Sequence, residues 1–321
     1  MFAGKARKAD MGETFARLAQ ELSAGGRRIE VETCELDIER GGKSHDLLDL
    51  PTQERILKEI KDGQYDVVMA APPCNTFSRA RYSNSPGPRP CRDLSWPRGF
   101  PWNESAARQE AQEGNTLMDF TVDCLLAAEH LACTIWAEFP EDLGTAEKGD
   151  PASLWQRPEL RNTGMVRGAL FQCEWCDAPY AKPTGIITNC SKFYEDSRFY
   201  QGWPEFSSPH AGDRHYRGPL PPTCRHGGHK PLRGWSGGQY TTAPTAAYPP
   251  GFCEAIARAI LASEIMVDMP VGPTPSTLET GVGVGSGVAP HETQTPEGEE
   301  TPCRSEAQGA RAGVWAPLCR P

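Results

Sequence analysis

The chain has 321 residues, of which 38% are hydrophobic and 23% charged, and its formal net charge is −9. That is enough chain to bury a core in one large domain or two modest ones. No stretch approaches the ~20 consecutive apolar residues of a membrane span, the start Met-Phe-Ala-Gly-Lys-Ala-Arg lacks an apolar signal-peptide core, and the 12 scattered cysteines do not concentrate as in a small secreted disulfide scaffold.

These features predict an intracellular protein in a reducing compartment, nuclear if the source is eukaryotic, with no membrane partner and no obligate protein partner. The net acidity counts weakly against nucleic acid. However, the segment from Ile265 onward carries seven acidic and three basic residues, so the body alone is near −5. Binding DNA needs a local basic surface rather than a basic total.

Residues 13–22 place Phe15, Leu18, Ala19 and Leu22 on one helical face, and Gly25-Gly26 ends that helix. Residues 29–36 read as a strand. Residues 52–61 read as a second helix, capped by Thr52 and stopped by Gly63. The apolar run 65–71 has the character of a buried strand. A long helical stretch covers 104–131 and a short strand 133–137. Strands separated by helices predict parallel β-α-β units in a doubly wound sheet, which binds ligands at the carboxyl ends of its strands. Residues 197–239 are rich in Gly, Pro, aromatic and basic residues and predict loops with short strands. Helical periodicity returns over 250–265, and beyond about Pro270 the Gly/Pro/Thr/Ser/Glu composition predicts disorder. No internal repeat is present.

The most informative stretch is Asp66-Val-Val-Met-Ala-Ala-Pro-Pro-Cys-Asn-Thr-Phe-Ser78. The two prolines restrict the backbone of a turn and hold the Cys74 thiol at the strand's carboxyl end. There a thiolate could act as a nucleophile; equally, Cys74 could be a small buried filler, since no histidine lies nearby in sequence.

Pro72-Pro73-Cys74 followed by Phe77-Ser78 resembles the catalytic motif of cytosine-C5 DNA methyltransferases, in the branch seen in phages and mobile elements. Other segments fall in that family's order. Phe2-Ala3-Gly4 resembles its Phe-x-Gly cofactor turn, and Cys34-Glu35-Leu36-Asp37 its acidic strand end. His45-Asp46-Leu47-Leu48 matches the adenine-contacting position, and Gly114-Asn115-Thr116-Leu117 the helix start bordering the cofactor. Ile135-Trp136-Ala137-Glu138-Phe139-Pro140 is similar to its Glu-Asn-Val or Glu-Asn-Pro strand. Phe171-Gln172-Cys173 with Lys182-Pro183-Thr184 resembles the mobile-element branch, and Thr245-Ala246-Ala247-Tyr248 the last motif.

The resemblance, running from residue 2 to about 265, implies an α/β, Rossmann-like fold of the S-adenosylmethionine-dependent methyltransferases. It has a catalytic domain over 1–190, a small loop-rich DNA-contacting insert over 191–244, a returning C-terminal helix over 245–268 and a disordered tail over 269–321. It implies Cys74 as nucleophile toward C6 of a flipped cytosine and Glu138 as the group that supports N3. For S-adenosylmethionine it implies Phe2, Gly4, Glu35, Asp37, Asp46, Pro72, Asn115 and Thr245. For DNA it implies Ser78 and Arg81, with Lys182 in place of a base-holding arginine, and Arg214, Arg217 and Arg233. Around the last three lie Trp203, Tyr216, Trp235 and Tyr240, aromatics able to stack on bases.

Three features depart from the family pattern. Met1 abuts Phe2, so the family's first strand is expected to be missing; Phe139 replaces an asparagine; and the usual arginine is absent, with a lysine unable to reproduce its planar fork. A catalytically decayed nucleic-acid-binding module therefore stays open beside the enzyme. So does a zinc-stabilised DNA-binding protein, because Cys173-x-x-Cys176, at the usual spacing, with Cys224-x-His226-x-x-His229, where Cys-x-His is cramped, offers zinc-capable ligands, Cys173, Cys176, Cys224 and His229 being the candidates.

Overall fold

Asp10 opens the first helix: its carboxylate accepts the Glu13 amide at 3.1 Å, and α1 runs over Met11–Ser23. Phe15, Leu18 and Ala19 are buried as the periodicity requires, whereas Leu22 is left 37% exposed. The computed structural model describes residues 1–24, 28–82, 87–144, 149–206, 216–232, 234–236 and 239–267. The expected disordered tail, 269–321, lies outside the described residues.

The expected strand over 29–36 does not form as a strand; only an isolated bridge residue, Glu32, marks it. The N–H groups of Phe2 and Ala3 both converge on the Leu36 carbonyl, at 2.8 and 3.3 Å. Two donors on one acceptor do not make a ladder. A short helix, α2 (Ile38–Gly41), follows, capped by Asp37. The next helix, α3 (Leu50–Lys61), starts two residues earlier than expected, with Asp49 as its cap rather than Thr52. The Asp49 carboxylate accepts both the Thr52 amide and its hydroxyl, at 3.1 and 2.9 Å, and Pro51 fits the first turn, where no amide donor is needed.

The buried run becomes β1 (Val67–Ala70). The long helix α4 (Ser105–His130) leads to β2 (Thr134–Pro140), which lies parallel to β1 with Ala137 opposite Ala70. After α5 (Pro158–Arg161) come β3 (Val166–Phe171) and β4 (Pro183–Thr188). Here the expected parallel, doubly wound sheet is corrected. β4 inserts between β2 and β3 and is antiparallel to both. The physical reason is the connection 172–182, which contains a 3-10 turn at Gln172–Trp175 and no crossover helix, so the chain doubles back. α6 (Ser191–Tyr194) and β5 (Tyr200–Gln201) complete a sheet of order β1-β2-β4-β3-β5. The sheet thus continues past residue 190, the expected end of the catalytic unit.

Helices cover both faces. On one face Trp136 of β2 packs against Phe193 of α6, with ring centroids 4.4 Å apart. It also packs against Phe252 of the last helix, α7 (Pro250–Val267). On the other, Phe139 meets Phe77, whose ring lies under Arg92, itself hydrogen-bonded to Ala111 and Asn115 of α4. The result is an α/β protein with a mixed five-stranded sheet, consistent with a Rossmann-like fold. Between β5 and α7 the strands are two-residue pairs, β6 (Glu205–Phe206) with β7 (Tyr216–Arg217) and β8 (Trp235–Ser236) with β9 (Gln239–Tyr240). Among the described residues, no helix is long and apolar enough to cross a membrane.

Candidate active site

β1 and β2 end side by side, and their carboxyl ends carry the two residues singled out for chemistry. Beyond Ala70 the chain makes the Pro72-Pro73 turn, with Pro72 buried, and reaches half-buried Cys74. The Phe77 amide then closes a 3-10 turn on the Cys74 carbonyl at 2.9 Å. Glu138 stands one residue beyond the pairing of Ala70 with Ala137 and is 1% exposed. Gly114 of α4 lets that helix approach this turn: a Cβ there would stand 2.9 Å from Thr76 Oγ1 and 3.0 Å from Arg92 Nη2.

Cys74 is disulfide-bonded, and the other nine described cysteines are free thiols. A sulfur in a disulfide is not a nucleophile; only the reduced thiolate is.

Around Glu138 the polar groups are buried and incompletely matched. Lys182, at the start of β4, brings its Nζ within 3.3 Å of Glu138 Oε1. The angles satisfy a hydrogen bond for neither atom. Tyr248, just before α7, is fully buried, and its hydroxyl has no hydrogen-bond partner. Burial first, and then the Glu138 charge, push the Tyr248 phenol well above its ordinary range, so it stays neutral. The Trp136 indole lies close enough to moderate that shift but makes no well-formed hydrogen bond itself. Lys182 Nζ sits 5.9 Å from the Tyr248 ring centre. A carboxyl group, an ammonium and a phenol therefore converge with hydrogen-bonding capacity left over, which a native interior meets with ordered water or a ligand.

The expected cofactor residues gather at the amino-terminal turn only in part. Phe2 and Gly4 both adopt left-handed backbone, φ 63° and 64°. The Gly4 amide donates to Asp37 at 2.9 Å, and Arg40 Nε donates to the Gly4 carbonyl at 2.6 Å. Arg40 also pairs with Glu35 and with Asp10. Desolvation raises the Glu35 carboxyl pKa despite Arg40. Asp10 moves the other way: burial opposes ionisation, but the Glu13 amide and the Arg40 guanidinium together lower it. Glu35 Oε1 is buried with no partner, and a Cβ on Gly12 would stand 2.6 Å from it. Asp46 caps the amide of Leu48 at 3.0 Å. Asn115 instead binds the 92–98 segment, accepting from Arg92 and donating to the Arg98 carbonyl, both at 2.8 Å. The Thr245 hydroxyl donates to the Thr242 carbonyl at 2.8 Å.

Of the expected DNA contacts, Ser78 accepts the Ala80 amide at 3.2 Å. Arg81 is turned inward at 4% exposure. Its guanidinium pairs with Glu110 and donates to the Asn75 and Arg89 carbonyls, at 2.7 and 3.2 Å. It braces the turn after Cys74 rather than facing solvent. Arg217 is exposed on β7. Arg214 and Arg233 lie outside the described residues, as does the Tyr216 side chain.

The metal-capable set differs in one member from the expected one. Cys173, Cys224, His226 and His229 come together, with their ligand atoms all within 4.8 Å of one another. Cys176 does not join them: its thiol is directed to the Gln172 carbonyl at 3.5 Å and packs beside Gly251 of α7. The Cys173 thiol is pushed up to about 12 by burial and by the adjacent Cys224 sulfur.

Sequence reasoning passed over the pair Arg167–Glu141, whose side chains are fully buried on β3 and just past β2. Arg167 also stacks on Trp155, 4.7 Å from the ring centre, and donates to the Gly202 carbonyl at 2.8 Å. Its signal was an arginine within an otherwise apolar strand run, Val166-Arg-Gly-Ala-Leu-Phe171. Tyr248 was quoted only as part of a motif; no local pattern marks it as facing Glu138.

A scan against protein-family models and searches of curated proteins and of solved structures returned no match for this chain.

Proposed function

We propose that this chain is a DNA cytosine-C5 methyltransferase in which reduced Cys74 attacks C6 of an extrahelical cytosine. The observation that carries the reading is the buried cluster of Glu138, Lys182 and Tyr248 with unmet polar atoms. It stands at the carboxyl end of β2, beside the strand that ends in Pro72-Pro73-Cys74. The ordered resemblance along the sequence supports the same assignment.

In this reading the Cys74 sulfur forms a bond to C6, and the displaced electron pair makes C5 nucleophilic. Charge builds toward N3 as the bond forms, and Glu138, which takes up a proton when the base binds, donates it toward N3 to disperse that charge. Lys182 Nζ, with donors beyond its contact to Glu138, reaches the ring carbonyl O2 in place of an arginine fork. The neutral Tyr248 hydroxyl completes the polar wall. Once C5 carries the methyl group, its proton passes to solvent water, the C5–H electron pair re-forms the C5=C6 double bond, and the Cys74 sulfur leaves C6 as a thiolate.

S-adenosylmethionine fits the residues at the amino-terminal turn. Glu35 Oε1 is an orphaned acceptor suited to a ribose hydroxyl, and its carboxylate lies against Gly12, where a Cβ would stand 2.6 Å from it. Phe2, Gly4 and Asp46 would line the same site. Bound there, the cofactor supplies an electrophilic methyl group. The DNA partner rests on the basic and aromatic character of the loop-rich insert, including exposed Arg217.

The test is covalent trapping by an oligonucleotide carrying 5-fluorocytosine, with S-adenosylmethionine, in reductant and without it. Fluorine at C5 blocks the final elimination. The expected result is an adduct that needs cofactor and reductant and disappears in Cys74→Ser. Folded, reduced protein that forms no adduct across varied DNA contexts overturns the reading.

A further inference from the structure

The stretch of the loop-rich insert that follows β7 has little apolar material to hold it. Across residues 217–232 not one residue is buried, and the insert's strands are two-residue pairs. A segment of this kind needs a staple of another sort, since short hairpins without a covered apolar face are marginal in water. At the point where it crosses the α/β body, two thiols and two imidazoles meet. Cys173 is buried in the 3-10 turn after β3, while Cys224, His226 and His229 lie on the crossing loop.

We propose that Cys173, Cys224, His226 and His229 form a structural zinc site that fastens this loop to the end of β3. Three observations converge on it. The four ligand atoms lie within 4.8 Å of one another. Tetrahedral zinc, with bonds of about 2.3 Å to sulfur and about 2.0 Å to nitrogen, places its ligands roughly 3.3–3.8 Å apart. A contraction of about 1 Å closes the shell. His229 Nε2 is buried without a hydrogen-bond partner, and a metal would take up its lone pair. The backbone is already laid on the turn: the Arg225 amide donates to Glu174 Oε1 at 3.0 Å, and Arg225 Nη2 to the Ser197 carbonyl at 2.6 Å.

The donor set selects the metal. Two thiolates neutralise a divalent ion, and a closed set of two sulfurs and two imidazole nitrogens suits tetrahedral zinc over oxygen-seeking magnesium or calcium. With four protein ligands no position is left for water, so the site is structural rather than catalytic. Ligands more than fifty positions apart in sequence also explain why the spacing alone was a weak signal. The site stands whether or not Cys74 is a nucleophile.

The test uses the full chain under reductant, stripped with chelator and titrated with zinc, with cobalt as an optical probe. The expected result is about one equivalent of tightly held zinc and a tetrahedral cobalt spectrum with thiolate charge-transfer bands. Zinc should slow alkylation of Cys173 and Cys224, read by mass spectrometry, at least about tenfold, while Cys34 and Cys176 continue to react. Cys224→Ser and His229→Ala should weaken zinc binding at least about 100-fold, and Cys176→Ser should leave it unchanged. If a ligand variant fails to fold, the wild-type alkylation pattern and cobalt spectrum still decide the matter. Less than about one-tenth of an equivalent in folded protein, alkylation indifferent to zinc, or loss of binding in Cys176→Ser overturns the proposal.

Discussion

At the carboxyl end of β2, Glu138, Lys182 and Tyr248 are buried with hydrogen-bonding capacity left over. In segment 79–101, a few residues beyond Cys74, four of the five arginines are engaged, and Arg89 is exposed. Arg79 pairs with Asp142, Arg81 with Glu110 and Arg98 with Asp119. Arg92 donates to Pro97, Asn115 and Ala111 and keeps only its Nε unmatched. Both regions are polar and both adjoin Cys74, yet they carry opposite expectations. A buried polar group with every partner in place holds structure, and its loss is read as instability. A buried polar group with hydrogen-bonding capacity left over can take a water or a ligand, and in the proposed reaction its loss is read first in function.

Glu138→Gln is expected to have the largest effect. In the proposed reaction it should lower turnover by about 10²–10³, the range typical for a preorganised group that stabilises developing charge. Some stability should be lost as well, because glutamine keeps the volume and an acceptor for Lys182 but removes the counter-charge of its buried ammonium. Single-turnover methyl transfer together with a urea transition separates the two readouts. Intact turnover with a large loss of stability would place Glu138 with the satisfied arginines and break the contrast.

Arg81→Ala should do the reverse. Removing its guanidinium strands the Asn75 carbonyl and the Glu110 carboxylate, at a cost of about 2 kcal/mol in unfolding free energy. The urea midpoint should fall with the slope unchanged. A variant that is fully stable yet binds DNA more weakly would return Arg81 to the DNA-contacting role expected from the sequence.

That reversal illustrates what sequence could and could not convey. The Cys74 turn was legible because a buried apolar run followed by two prolines constrains the backbone locally. The helices were legible within a few residues because their apolar periodicity is local too. The sheet was not: whether β4 runs parallel or antiparallel depends on how 172–182 crosses, and β3 was masked by Arg167 in its middle. Thr52 lost the cap to Asp49 because two acceptors compete and geometry decides. Cys176 and His226 exchanged places in the metal set because spacing says which residues are near in chain, not which side of a turn they face. Arg81 and Arg217 look alike in sequence; only burial distinguishes them.

Glu35→Gln sharpens the contrast at the amino-terminal turn, with a smaller effect. Desolvation gives Glu35 a folded pKa above its ordinary value of 4.5. The folded state therefore binds the proton more tightly than the unfolded chain. The contribution to stability is full below the unfolded value and is lost as pH rises through the folded one. The variant removes that titration. It should be more stable than wild type at neutral pH, by up to about 1 kcal/mol. The difference should vanish below about pH 4.5. Thermal unfolding across pH reads this directly. Cofactor affinity, measured by calorimetry, should fall about tenfold if Glu35 holds the ribose. A stability gain with unchanged affinity would assign Glu35 to the Arg40–Asp10 network alone.

Arg217→Ala should have the smallest effect and gives the cleanest sign. The side chain is exposed on β7, so stability should stay within about 0.5 kcal/mol of wild type. If Arg217 meets a phosphate, binding should weaken a few-fold on every DNA sequence, and the slope of log affinity against log salt should fall by about 0.9. A loss confined to some sequences would instead indicate a base contact, with an unchanged slope. A slope and affinity both unmoved would remove β7 from the DNA-facing surface and leave the insert's aromatic and basic residues without a demonstrated partner. Repeating the titration with zinc removed links the two halves of the argument. A loop fastened at Cys173 and Cys224 holds β7 in one place, so stripping the metal should lower the salt slope even in wild type.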